Sequence, residues 1–393
     1  MSLAEPAGAT AIRPAATSDL DALVALEKEA FSGDRLSRRS FRHLLRRGHA
    51  RILVAETALR AGPDGEAPAL GGYVLLLYRR GTSLARLYSI AVARSARGQG
   101  VAAKLVAAAE DAAAGEDCAA VRLEIRRDNT ASQALFRRLG YRVFGTYEAY
   151  YEDAEDALRF EKRLAPEPPP SLARVPYYRQ TLDFTCGPAA LIMAMRALDP
   201  ALTPDRRLEL RLWRESTTIF MTAGHGGCGP EGLALAAHRR GFAVSVHVNG
   251  PGAFFTDSVR SPEKKQVMTL VHEDFLAELA EAAVPVRHET LNAAALERAL
   301  AAGAVPLVLI SLYRITRERT PHWVVVTGLD RRHVYVNDPW VDEGGGRSAT
   351  DTVNLPIPRR DFDRMARYGR SGQRAVLLLY PPGGPNPTTQ EPE

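Results

Sequence analysis

A chain of 393 residues exceeds one ordinary domain, and 46% hydrophobic with 25% charged residues is a globular composition, which excludes a fibrous or disordered class. Three cysteines (Cys118, Cys186, Cys228) exclude a disulfide framework, show no zinc-like pairing and suit a reducing, cytoplasmic setting with no metal. The net charge of +5 lies mostly in residues 1–164, with 25 Lys/Arg against 21 Asp/Glu; the N-terminus lacks a signal-peptide pattern and no apolar run approaches the ~18 residues of a span, so neither membrane nor nucleic acid is an expected partner.

In chain order, Leu20 to Phe31 has helical periodicity, after an opening strand. Arg35 to Arg51 holds seven Arg, with Leu36, Phe41, Leu44 and Leu45 on one helical face. A solvated face is the plain reading of that stretch, and contact with an acidic ligand or a ribosomal surface the sharper one. Ile52–Ala55 and Gly72–Leu77 read as strands joined by a loop over 60–70, and Leu84–Val92 as a third. An Ala-rich helix follows over Val101–Ala114. Val121–Ile125 is a strand and Ala131–Leu139 a helix closed by Gly140. Tyr141–Tyr150 and Ala157–Leu164 form an antiparallel pair. Ala165 to Pro170 is so proline-rich that it can only be a stiff spacer.

Beyond the spacer, a helix is expected from Cys186, with Pro188 in its first turn. More helices are expected near 204–216, 229–240, 263–282 and 292–302. Strands follow at Pro306–Leu312, Trp323–Gly328, Val334–Asn337 and Ala375–Tyr380, and 381–393 reads as a disordered tail. Helices first and strands later give an α+β domain.

Two constellations carry chemistry. In the first, Arg97-Gly98-Gln99-Gly100-Val101-Ala102 lies between a strand and a helix start, where glycines and free N–H groups can approach a pyrophosphate. The stretch Leu87 to Val92, this loop, Leu123-Glu124-Ile125-Arg126, Asn129 and Ala134 to Tyr141 together resemble the GNAT acyltransferase superfamily, in its ribosomal-protein alanine N-acetyltransferase branch. The resemblance covers about 10–164. It implies an α/β fold with a mixed, splayed sheet and acetyl-CoA as co-substrate. It also implies cofactor contacts from Ile90, Val92, Arg97, Gly98, Gln99, Gly100, Val101, Ala102 and Asn129, and Glu124 as general base. That branch has a tyrosine acid where this chain has Phe136; either Tyr147, Tyr150 or Tyr151 substitutes, or the thiolate leaves unaided, or the unit binds acyl-CoA with reduced turnover.

In the second, Cys186 at a helix tip is placed for a stabilised thiolate. His322 opens one strand of a short hairpin, and Asp338 ends the other, so the two can meet. Gln180, Cys186-Gly187-Pro188, His322 and Asn337-Asp338-Pro339 look like the bacteriocin-processing (double-glycine leader) papain-like cysteine peptidases, over about 172–380. The resemblance implies Cys186 as nucleophile, His322 as base, Asp338 as its orienter, and Gln180 with the Cys186 N–H as oxyanion donors. Cys228 repeats Cys-Gly-Pro without the upstream Gln and reads as a helix start. Cys118 reads as packing and Asp183 as a turn residue. The expected function is therefore an N-acetyltransferase of a peptide or protein amine joined to a Cys-His-Asp peptidase. The alternative makes the C-terminal domain a non-catalytic peptide-binding module.

Overall fold

The computed structural model describes residues 10–31, 33, 35–46, 49–56, 70–151, 153–164, 172, 174–217, 226–316, 320–341 and 351–383. The chain divides into two units, Met1–Pro166 and Glu167–Glu393. The proline-rich spacer 165–171, most of the 60–70 loop and the tail from 384 lie outside the described residues.

The N-terminal unit runs β1 (Ala11–Pro14), α1 (Leu20–Ala30), α2 (Arg38–Arg46), β2 (Ala50–Glu56), β3 (Leu70–Tyr78), β4 (Leu84–Val92), α3 (Val101–Gly115), β5 (Ala120–Arg126), α4 (Thr130–Arg138), β6 (Arg142–Tyr147) and β7 (Ala157–Arg163). Its strands form one sheet in the order β1-β2-β3-β4-β5-β7-β6, antiparallel throughout except for the parallel pair β4–β5. Period-two alternation assigns each strand's side chains to opposite faces. Leu53, Val74, Leu76, Ala85 and Leu87 pack with α3, while Ile52, Val54, Tyr73 and Leu75 pack with α1 and α2.

Two irregularities in this sheet shape a site. The β4–β5 ladder has three pairs, Leu84↔Ala120 to Arg86↔Arg122, and pairing stops there. The strands splay beyond it, which gives the mixed, splayed sheet expected from the sequence. A bulge at Tyr88 shifts the β3–β4 register, with Leu76 opposite Leu87 but Leu75 opposite Ser89. The extra residue flips the alternation. Ala85 and Leu87 face α3 before it, and Ile90 and Val92 pack on that same side after it.

The C-terminal unit runs α5 (Cys186–Leu198), α6 (Arg206–Ser216), α7 (Pro230–His238), β8 (Phe242–Val248), α8 (Pro262–Glu281), β9 (Val286–Arg287), α9 (Ala293–Ala301), β10 (Val305–Ser311), α10 (Tyr313–Thr316), β11 (Pro321–Leu329), β12 (His333–Asn337), β13 (Leu355–Pro358), α11 (Arg359–Met365) and β14 (Ala375–Pro382). Its sheet order is β13-β12-β11-β10-β14-β8-β9. Residues Gly187 to Met195 of α5 are all buried, so this helix is a core element, apolar all round. Replacing one of its larger members, such as Leu191 or Ile192, by Ala removes contacts worth about 2–5 kcal/mol.

Three expectations need correction. The last strand runs through Pro382, so residues 381 and 382 belong to the sheet and not to a tail. Strand β8 was missed: it starts at Phe242, directly after Gly241 and right behind the helix expected over 229–240. Strand β13 was missed because Pro356 and Pro358 argue against a strand; an edge position tolerates them.

Candidate active sites

In the C-terminal unit, the hairpin β11–β12 pairs Val325 with Asn337, which sets Asp338 beside the start of β11. Asp330 shapes its turn by accepting the N–H groups of Arg332 (2.8 Å) and His333 (2.7 Å). His322 Nε2 donates to Asp338 Oδ1 at 2.6 Å, and both residues are buried. That leaves the other ring nitrogen for Cys186, whose thiol is hydrogen-bonded to His322 and to the Trp323 backbone N–H. Cys186 is the first residue of α5, at the helix's positive end. Gly187 makes this junction possible, since a Cβ there would stand 3.2 Å from Cys228 Cβ, Leu233 Cδ1 and Trp323 Cδ1.

Burial opposes a charged sulfur, but the charge and hydrogen bond of His322 outweigh it, so the Cys186 thiol lies below its ordinary value. Burial likewise opposes a charged His322, and the charges of Asp338 and Cys186 reverse the balance, raising the imidazole to about 10. Each group thus favours the charged form of the other, thiolate beside imidazolium. Cys228 differs: burial pushes its thiol well up, and its carbonyl accepts Trp323 Nε1 at 3.0 Å.

Gln180 reaches this site through the loop before α5. Its backbone N–H donates to Pro339 O (3.0 Å), and its side-chain Nε2 donates to Leu182 O (2.8 Å). The amide keeps a second N–H, while Oε1 is buried without a partner. One of the two amide protons is thus committed to Leu182 O, and the other is left for a further acceptor. Leu182 O also accepts Thr185 Oγ1 at 2.9 Å, which ties the Gln180 amide to the residue before Cys186.

Glu209 was not singled out from the sequence. It lies fully buried on α6 and accepts the Tyr178 hydroxyl (3.0 Å), the Thr181 N–H (2.8 Å), the Thr181 hydroxyl (2.7 Å) and the Thr185 hydroxyl. Its signal was available. It shares a helix face with buried Leu212 and Ser216, where a carboxylate needs several donors. Asn337 is equally committed, donating to Val175 O (3.1 Å) and accepting the Asn354 N–H (2.9 Å).

In the N-terminal unit, Gly98 (φ +77°) and Gly100 (φ +75°) adopt the left-handed conformation that opens the 97–100 loop onto α3. A Cβ at either would meet nothing within 4 Å, so the loop borders open space. Arg97 to Gly100 are exposed, Val101 is buried and Ala102 half-buried. The side chains of Arg97 and Gln99 fold back onto Val92 O (3.4 Å) and Ser95 O (2.8 Å). The first N–H groups of α3 therefore have open access to an anion. Ile90 and Val92 border the same side of the sheet. These residues fit a diphosphate-bearing ligand. Asn129 caps α4, its Oδ1 accepting the Ser132 N–H at 3.0 Å.

Glu124 faces the opposite side of the sheet from α3 and is held by Arg86 Nη2 at 2.8 Å and Nε at 3.0 Å. Its Oε1 is buried with no partner. Arg86 Nη2 also donates to Tyr150 OH at 2.8 Å, and burial raises that phenol to about 12. Phe136 belongs to the core, edge-on to Tyr141 at 5.1 Å. Among the described residues no group of three or more His, Cys, Asp or Glu could hold a metal, and no helix is long and apolar enough to cross a membrane.

A Cys-His-Asp cluster at a helix tip and a glycine-opened anion cradle define two enzyme-like units, and each resembles known proteins. Residues 175–380 match the Peptidase_C39 like family, and the chain belongs to that family. Residues 20–141 match the Acetyltransferase (GNAT) family, so the N-terminal unit is a GNAT acetyltransferase domain. The N-alpha-acetyltransferase 30 of Schizosaccharomyces pombe is 33% identical over 82 residues, 21% of this chain and 55% of the relative. The chain thus spans about half the length of that curated relative. Among solved structures, the ribosomal-protein-S18-alanine N-acetyltransferase of Escherichia coli aligns at 21% identity and a TM-score of 0.34, over 41% of this chain and 98% of that one. NAA60 of Arabidopsis thaliana, in complex with acetyl-CoA, aligns at 18% identity and 0.36, over 40% and 99%.

Proposed function

We propose that the chain is a bifunctional enzyme, an acetyl-CoA-dependent N-acetyltransferase of a peptide or protein amine joined to a papain-like Cys-His-Asp peptidase. The observation that carries the peptidase half is the 2.6 Å His322–Asp338 bond beside a thiol lowered by His322. The Cys186 thiolate attacks the scissile carbonyl, and the Gln180 N–H and Cys186 N–H stabilise the oxyanion. The His322 imidazolium gives its proton to the leaving amine. It then takes a proton from water, whose oxygen displaces the sulfur and regenerates the thiolate–imidazolium pair.

In the acetyltransferase half, the 97–102 cradle and α3 hold the diphosphate of acetyl-CoA, with Ile90 and Val92 along its arm. That co-substrate supplies an activated acetyl thioester. Glu124, through Oε1 or a water, removes a proton from the acceptor ammonium. Tyr150, protonated at neutral pH, is placed on the same network to supply the proton that the sulfur leaving group needs. A β4 backbone N–H polarises the carbonyl.

Three unpaired thiols suit a reducing compartment, and we assign the chain to the cytoplasm. The test is mass spectrometry of a peptide pool incubated with the full chain and acetyl-CoA. The reading requires peptides heavier by one acetyl group and peptides shortened by cleavage. Acetylation alone, with Cys186→Ala indistinguishable from the wild type, reduces the C-terminal unit to a peptide-binding module.

A further inference from the structure

A cavity of about 660 Å³ opens on the N-terminal unit beside α2, and its lining includes Arg39, Arg42, His43, Arg46, Leu77 and Tyr88. The four basic residues follow i, i+3, i+4, i+7 spacing and so form one helix face, while Phe41 of the same helix is buried in the core. All four are exposed. Arg38, outside the cavity, pairs with Asp21, but among the described residues no carboxylate pairs with Arg39, Arg42 or Arg46. Tyr88 is the bulged residue of β4, 48% exposed, and the Arg86 guanidinium lies 5.4 Å from its ring centroid. The same Arg86 holds Glu124. Tyr88 and Arg86 thus link the cavity to the carboxylate assigned to the acceptor amine, across the sheet from the α3 cradle.

We propose that this cavity selects the acceptor: it binds the segment following the acetylated amine, and it favours segments carrying Asp or Glu. The proposal rests on the acetyltransferase reading above. Unpaired guanidiniums present fork-shaped donors that match carboxylates bidentately. The Leu77 and Tyr88 floor gives the intervening apolar atoms a surface, so a short acidic peptide fits the mixed lining better than a uniformly charged nucleic-acid backbone.

The test uses the full chain and two peptides of equal length with a free N-terminal amine, one with Glu and one with Lys at the three positions after the first residue. Acetyl transfer and fluorescence anisotropy of labelled peptides are read in parallel. We expect kcat/KM for the Glu peptide to exceed that for the Lys peptide by about tenfold or more. The ratio should collapse on raising salt from about 50 mM to 0.5 M. Arg42→Glu and Arg46→Glu, both on the exposed helix face, should each remove or invert the preference, whereas Arg142→Glu at the far edge of the sheet should retain it. Equal use of both peptides, or a preference untouched by the α2 variants, overturns the proposal. If neither peptide is acetylated while the Glu peptide still binds in an Arg42-dependent way, the cavity assignment stands and the transfer reading fails. Tighter binding of a single-stranded oligonucleotide than of the Glu peptide assigns this face to nucleic acid and overturns the proposal.

Discussion

Arg86 grips Glu124 through one carboxylate oxygen, with Nη2 at 2.8 Å and Nε at 3.0 Å from Oε2. The side chains are 11% and 5% exposed, so the pair sits largely out of water. One oxygen is thus structural and the other, Oε1, is buried and unpaired, available to a proton. This division predicts separable effects. Glu124→Gln should lower kcat for acetyl transfer by about 10²–10⁴ with little change in KM for acetyl-CoA. Leaving Arg86 without its counter-charge should also cost roughly 3 kcal/mol of stability. The double variant Arg86→Met/Glu124→Leu should recover much of that stability, by denaturant unfolding, and none of the transfer.

Glu209 organises the loop beside the Cys186 site without touching Cys186, His322 or Asp338. It gathers four donors from Tyr178, Thr181 and Thr185, the last being the N-cap of the Cys186 helix. Glu209→Ala strands those donors in a buried position, at about 1–3 kcal/mol for each left unsatisfied. The expected result is strong destabilisation of the C-terminal unit, read as a lowered melting temperature. Glu209→Gln, which can accept but also donates, should be milder and should lower kcat by loosening the loop that carries Gln180.

The pH response of hydrolysis follows from the ion pair. The lowered Cys186 thiol keeps the thiolate present to lower pH than an ordinary cysteine does, and the rate falls as pH drops through that lowered value. The upper limit is set by His322, whose proton is needed by the leaving amine and is lost near pH 10. Asp338→Asn removes the charge that most raises His322. The upper limb of the kcat/KM profile should then move to lower pH, with a rate loss on the order of 10²–10⁴.

Much of both sites was legible because it is local. The Cys186 helix, the 97–102 loop and the His322–Asp338 hairpin each lie within a short span of chain, where Pro188, Gly100 and the turn at Asp330 leave few alternatives. The long-range pairings were not. Arg86 and Glu124 meet only because the single parallel ladder aligns β4 with β5, and Glu209 meets Thr185 through the packing of α6 on α5. Nothing in local spacing encodes either contact. Gln180 shows a further limit, since its residue type signals an amide donor but not that Leu182 O takes one of the protons.

The acyl-donor cradle gives a prediction independent of the acceptor side. Gly100→Ala places a side chain at φ +75°, which costs about 1–2 kcal/mol and shifts the loop. KM for acetyl-CoA should rise, with kcat less affected, in a steady-state titration of the co-substrate.

The most direct test of the Cys186–His322 pairing is iodoacetamide labelling of the native chain at about pH 6, read residue by residue by mass spectrometry. Cys186 should be alkylated while Cys118, raised to about 12, and Cys228, pushed well up by burial, remain unmodified. His322→Ala should abolish the reaction at that pH. Slow labelling of Cys186 in the wild type, or labelling undiminished in His322→Ala, contradicts a thiolate held by that imidazole.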